Sequence, residues 1–357
     1  VTFKGALGSD DNGELGTIDI DTAGVTDFQS TVEAASIDTD LGGSVKLGDD
    51  VTVTGAAGAV FNENVLLGKG LKVSSIHADG VVTFGGKLDS AKGSTHELTV
   101  DAGGAVTFAG SVGGEDSLGA LIVNTDDITD FKSTVMAASV STDKLGSVQL
   151  GGNVTATGKD GVTFNDSVTL NSTIEIDAAS GPVTFGATLD SAPAGYGLTV
   201  KSGGAVTFAD AIGGTSSQTL SLGELVVNTG SLTDFQSTVR AASVLTDQPG
   251  SVGLNGNVTV TGVGGAKFLE DSVRINDSIS IVATEAGAPI TFGGDIDSED
   301  SETNSLTLET KGDISVAGDI GSEDALADLT VTDARDVDFD KTVTADNFKQ
   351  DNGTGTT

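Results

Sequence analysis

The chain contains no cysteine and no tryptophan, a single tyrosine, a single methionine, two histidines and four prolines. The lack of cysteine excludes disulfides and thiol chemistry, and by itself leaves the compartment open. Basic residues are also scarce: 17 lysines and arginines stand against 52 acids, for a net charge of −35. So acidic a chain repels phosphate backbones, which makes nucleic acid an unsuitable partner, while it attracts divalent cations and basic surfaces. There is no apolar run of about 18 residues, so no segment is expected to cross a membrane as a helix. The chain opens on "VTFKGALG" without a methionine or a leader-like stretch; the expectation is a removed leader or a piece of something longer.

What is abundant is glycine, 51 residues and about twice the usual share. Hydrophobic residues make up 37% and fall in regular short runs, which argues against disorder. A long repeat is plain: "VTDFQSTVEAAS" from Val25 returns as "ITDFKSTVMAAS" from Ile128 and "LTDFQSTVRAAS" from Leu232, with a fainter "DVDFDKTVTA" from Asp336. The interval is about 104 residues, dividing one solenoid spanning 1–357 into 1–27 (partial), 28–130, 131–234, 235–338 and 339–357 (partial).

A finer period decides between folds. Phe3, Phe28, Phe61, Phe84, Phe108, Phe131, Phe164, Phe185, Phe208, Phe235, Phe268, Phe292 and Phe339 share one template, with a Val, Leu or Ile four places later. Phe268 departs, with Val273 at five places, which reads as a one-residue bulge. Tandem β-sandwich domains fit the long interval, but their strands do not share one aromatic template, whereas the coils of a solenoid each see only copies of themselves. Strands about 4.8 Å apart allow a ring on every coil to stack on the next. The reading is therefore all-β: an elongated parallel β-solenoid of about 14–15 coils, roughly 70 Å long, with an internal phenylalanine ladder. The slot two places after each Phe (Gly5, Gly86, Gly110 and Gly294, elsewhere Ser30, Glu63, Asp166 or Asp210) is expected to face solvent at a corner. The longer intervals after Phe28, Phe131 and Phe235 are assigned to one wide coil per long repeat, with "GSVKL", "GSVQL" and "GSVGL" as an added strand. "TDFQSTVEAAS" also fits a helix start, with Thr26 and Gln29 in capping-box positions, but Phe28 and Val32 follow the strand template.

Chemistry is sparse. Asp27, Ser30 and Thr31 form an acid beside hydroxyls, but no histidine or lysine recurs with them, and copies about four coils apart cannot make a carboxylate dyad. His77 and His96 are replaced by Ala178 and Tyr196 in the next copy and read as loop residues. The acidic stretches 8–16, 124–130 and 297–304 are solvated turns or weak calcium sites; none matches an EF-hand loop. Thr-x-Thr recurs only once per long repeat, too rarely for an ice-binding face, and Asn153, Asn165 and Asn171 beside Ser or Thr are ordinary turn composition. No catalytic residue, no cofactor other than calcium and no enzymatic activity are expected.

The units "GAVTFAGSVGG", "DGVVTFGGKLDS" and "SGPVTFGATLDSA", joined by "LTV" strands, resemble the repeat regions of filamentous-haemagglutinin-like adhesins and other giant bacterial surface proteins. The resemblance covers nearly the whole chain. It implies an exported β-solenoid serving as a stalk, adhesin or matrix fibre at the cell surface, with a host or matrix surface as ligand. Edge strands at either end imply head-to-tail self-association. Two other readings stand beside it: a calcium-dependent S-layer-like or matrix protein, and a carbohydrate-active β-helix, which would need acids and an arginine or lysine gathered in one unrepeated place.

Overall fold

A computed structural model describes residues 1–8, 13–40, 42–214, 221–247 and 249–355, in two compact units, Val1–Gly181 and Pro182–Thr357. Each is a parallel β-solenoid, and together they hold about 15 turns. No helix occurs among the described residues. The stretch open to a helix reading forms strands Val25–Phe28 and Val32–Thr39. β-Branched and aromatic residues alternating with threonine favour that outcome: in Val82–Phe84 the valine and phenylalanine point into the core while Thr83 faces outward.

Each coil has three sides. In the first unit, one side carries Val25–Phe28, Ser44–Leu47, Asn64–Leu67 and Leu88–Ser90, continued by bridges from Leu88 through Val112 to Val135. The second carries Val51–Val53, Leu71–Ser75, Leu98–Ala102 and Leu118–Thr125, and the third Ala59–Phe61, Val82–Phe84, Val106–Phe108, Ile128–Phe131, Ser147–Leu150 and Ser167–Leu170. The eight-residue strand Val32–Thr39 turns a corner, pairing Val32 with Val51 on the second side and Ile37 with Ala59 on the third.

This register corrects the wide coil. Phe131 lies beside Leu150, and Leu150 beside Leu170, so "GSVQL" is the next ordinary coil's copy of the "TDF" strand. Phe164 belongs to another side, beside Thr142. Starting at Val25–Phe28, the chain passes four whole coils, to Val112, and then two more sides before "TDF" returns as Ile128–Phe131. The copy therefore comes one side short of a full turn. The second unit obeys the same rule: the side holding Leu232–Phe235 continues through Ser251–Leu254, Ser272–Ile275, Asp295–Ser298 and Ile320, while Val337–Phe339 falls on the side of Phe268 and Phe292.

The ladder follows the register and runs in segments instead of one column. Phe61, Phe84, Phe108 and Phe131 stack with centroids 5.6, 5.2 and 5.0 Å apart, after which Leu150 and Leu170 take over the column. Phe3 stacks on Phe28 at 5.3 Å, on a different side, followed by Leu47 and Leu67. In the second unit Phe185, Phe208 and Phe235 stack at 5.1 and 5.2 Å, and Phe268 and Phe292 at 5.5 Å. Rings from Phe28 to Phe292 are buried, whereas Phe3 and Phe339 are only half-buried, and Phe339 meets Phe348 edge-on at 6.1 Å. Each buried ring contributes about 1.5–3 kcal/mol through its area. The extra residue after Phe268 lies in the corner between Val258–Phe268 and Ser272–Ile275, so the bulge expected within a strand is a lengthened turn.

Candidate functional site: buried acids at the coil corners

The "TDF" aspartate sits on the outer face, where its contacts are with neighbouring side chains, Asp234 also accepting from the Asn255 amide of the next coil at 3.2 Å. Asp27 accepts a hydrogen bond from the Gln29 amide at 2.7 Å, Asp234 accepts one from Gln236 at 2.7 Å, and Asp130 lies 3.6 Å from the Lys132 ammonium. Asp27 and Asp130 occupy different sides of the first unit. His77 and His96 are half-exposed in turns, and His77 Nδ1 accepts the Asp79 N–H at 3.1 Å. Residues 9–12 of the acidic stretch 8–16 lie outside the described residues.

The slot after each Phe departs from expectation in one set of copies. Glu63 is 3% exposed, Asp166 3% and Glu270 1%: acids placed to face solvent are buried. All three follow the Phe that comes after a long interval, and each packs beneath a Thr-Asp pair of the preceding coil: Thr39 and Asp40, Thr142 and Asp143, Thr246 and Asp247. The pair's aspartate in turn caps the coil before it, as where Asp143 accepts the Thr125 N–H at 3.1 Å. The three corners differ in how the buried acid is satisfied. Asp166 accepts the Gly146 N–H at 2.8 Å, and Glu270 the Thr246 hydroxyl at 2.6 Å. Neither carboxylate oxygen of Glu63 has a well-formed hydrogen bond, although the Thr39 hydroxyl lies beside it.

Burial pushes the carboxyls of Glu63, Asp143, Asp166 and Asp247 above the ordinary range, with neighbouring acids adding to the effect at the first three. Glu270 is pushed up to about 7, chiefly by desolvation. At the first corner Asp21 and Asp40 are hydrogen-bonded carboxyl to carboxyl, which raises Asp21 and lowers Asp40. Asp19, Asp21, Asp38, Thr39, Asp40 and Asn62 line an open notch of about 410 Å³ there. The Asn62 amide donates to Asp38 Oδ1 at 3.1 Å and to the Thr39 carbonyl at 2.6 Å, which fixes the rim.

A second corner device went unread in the sequence although "LDS" recurs at 88–90 and 189–191, with "IDS" at 296–298. Asp89 Oδ1 accepts the N–H groups of Glu115 and Asp116 at 2.9 and 3.4 Å, and Asp297 Oδ1 those of Glu323 and Asp324 at 2.9 and 3.4 Å. The following serines Ser90, Ser191 and Ser298 accept the N–H of His96, Tyr196 and Asn304 at 2.9, 2.6 and 2.8 Å, closing the long turns. These are scaffold pins, and their signal was a repeated Asp-Ser at a strand end.

The acidic stretch 297–304 is met by an arginine. Arg274 contacts Asp300 and reaches Glu323 and Asp324 at 3.6 and 3.9 Å. Leu66 and Thr169 hold this position in the other copies, so the arginine does not recur, although in the first unit Lys87 meets Glu115, the counterpart of Glu323, at 2.7 Å. Asp300 and Glu323 side chains are 80% and 74% exposed on a corner, where such pairs act as surface ion pairs. Among the described residues, no three acidic or histidine side chains converge as a preformed metal cage. Comparison of the chain with known protein families, with curated proteins and with solved structures finds no match.

Proposed function

We propose that the chain is a non-enzymatic structural segment of an extracellular fibre, stalk or adhesin that associates end to end through exposed strand edges. The observation that carries this reading is the pairing of the outermost strands. Among the described residues, Thr2–Phe3 pairs only with Val25–Phe28, Leu15–Ile20 only with Val32–Thr39, and Ala345–Asp351 only with Leu326–Thr332. Each leaves a row of backbone donors and acceptors free to take another parallel strand, from a second copy or from more of the same polypeptide. Beside Ala345–Asp351 an apolar hollow of about 210 Å³, lined by Phe339, Val343, Ala345 and Phe348, offers the core of a further coil somewhere to continue, and Phe348 is 50% exposed. The extracellular setting rests on the resemblance of the "VTF" units to surface-adhesin repeats.

Electron microscopy of the isolated protein tests the proposal. Fibres that lengthen with protein concentration are expected. Dispersed short particles at every concentration, with and without calcium, would overturn end-to-end association, and sheets formed only with calcium would replace the fibre with a lattice.

A further inference from the structure

We propose that the notch at the first coil corner of the first unit, walled by Asp19, Asp21, Asp38 and Asp40, binds one calcium ion, with Glu63 as the buried carboxylate behind it. The inference is independent of end-to-end association. The notch is lined by four carboxylates, the Thr39 hydroxyl and the Asn62 amide, whose oxygen is the group left to bind a cation, and Glu63 lies beside Asp40 and Thr39 behind the wall. Oxygen-only sets of this kind suit hard cations, and a wide, open notch suits the larger and less demanding calcium over magnesium, which requires near-ideal octahedral geometry. The charges acting on Asp21, Asp40 and Glu63 are all carboxylates, with no lysine or arginine among them.

Glu63 supplies the independent observation. It is 3% exposed and neither oxygen has a well-formed hydrogen bond, the adjacent Thr39 hydroxyl relieving its burial only in part, while Thr39 and Asp40 form part of the notch wall. An unpaired carboxylate so placed is costly unless something compensates it.

The protein contains its own controls. Where the repeat places Asp166 and Glu270 in the slot of Glu63, a backbone N–H or a hydroxyl satisfies them. At those two corners the outer acids have been replaced: Asp19 by Ile122 and Val226, Asp21 by Asn124 and Asn228, Asp38 by Ser141 and Leu245. The second corner has its own acids, Asp101, Asp126 and Asp143, but Asp101 is paired with Lys72. Among the three corner acids, the one without a well-formed hydrogen bond is thus the one whose corner carries four outer carboxylates. The ligands are not preassembled, since Asp21 and Asp40 are hydrogen-bonded to each other, and calcium would take the place of that mutual contact.

The test is calorimetric titration of calcium chloride into the chelator-treated full chain, paired with thermal melting. Wild type is expected to bind calcium and melt higher in its presence. Asp21→Asn recreates the residue found at Asn124 and Asn228, so it should fold, and it should lose one bound ion or at least ten-fold in affinity. Glu63→Gln, neutral and of equal size, should weaken binding in the same direction. Asp143→Asn at the second corner should bind as wild type does. Absence of both the heat and the melting shift in wild type, undiminished binding by both Asp21→Asn and Glu63→Gln, or an equal loss in Asp143→Asn would overturn the site. Electron microscopy does not enter this result, so the fibre and the calcium site stand or fall separately.

Discussion

At the scale of single residues, Glu270 has been turned into an acid that holds its proton near neutrality. Its pKa is pushed up to about 7 from 4.5 because it is 1% exposed, and the Thr246 hydroxyl at 2.6 Å only partly relieves this. A folded-state value above the unfolded one means that the native protein binds the proton more tightly. Its stabilising contribution is complete below about pH 4.5 and is lost as pH rises through about 7. The change across that window is on the order of 3 kcal/mol. Glu63, Asp143, Asp166 and Asp247 are shifted in the same direction and add to the trend. Urea midpoints should therefore fall between pH 5 and pH 8 for wild type and fall less for Glu270→Gln, whose amide oxygen still accepts from Thr246. A variant as steep as wild type would remove Glu270 from the account.

Elements are held by two features that differ in kind, ring stacking inside and backbone approach at corners. Phe108 is stacked on both faces, at 5.2 and 5.0 Å, so Phe108→Ala should cost about 3–5 kcal/mol in chemical denaturation. Phe348, half exposed and in edge contact only, should cost far less when truncated. At the corners a Cβ on Gly110 would stand 2.3 Å from the Gly86 carbonyl oxygen of the preceding coil. Gly110→Ala should push the coils apart and cost about 1–3 kcal/mol, although it removes no side chain. Equal stability of Gly110→Ala and wild type would show that the corner yields without strain.

For the whole molecule, the mismatch between coil and long repeat governs what the surface displays. Within each unit the second "TDF" strand lands one side short of the first, so equivalent outward residues of successive copies face different directions instead of forming a row. A net charge of −35 is thereby spread around the coils, and self-repulsion still opposes the compact state. Melting temperature should rise as sodium chloride is raised to about 0.5 M without divalent ions, because screening relieves that repulsion. A fall would mean that the surface ion pairs of Arg274, Arg335 and Lys72 outweigh it.

The sequence by itself determined the all-β class, the parallel coils and the stacked phenylalanines, because these depend on residues that recur at short range: a ring must meet a ring wherever coils repeat their template. It did not determine which residues meet across coils. Leu150 follows Phe131 in its column, and Phe164 starts elsewhere, because coil length varies and only hydrogen-bond register decides which side a strand joins. The buried acids were misread for a related reason. Glu63, Asp166 and Glu270 share their slot with Gly86 and Gly110, and only the tertiary structure brings a Thr-Asp corner from the preceding coil over the acids. Burial of a charge is set by what lies above it in space, which a repeat read along the chain does not contain.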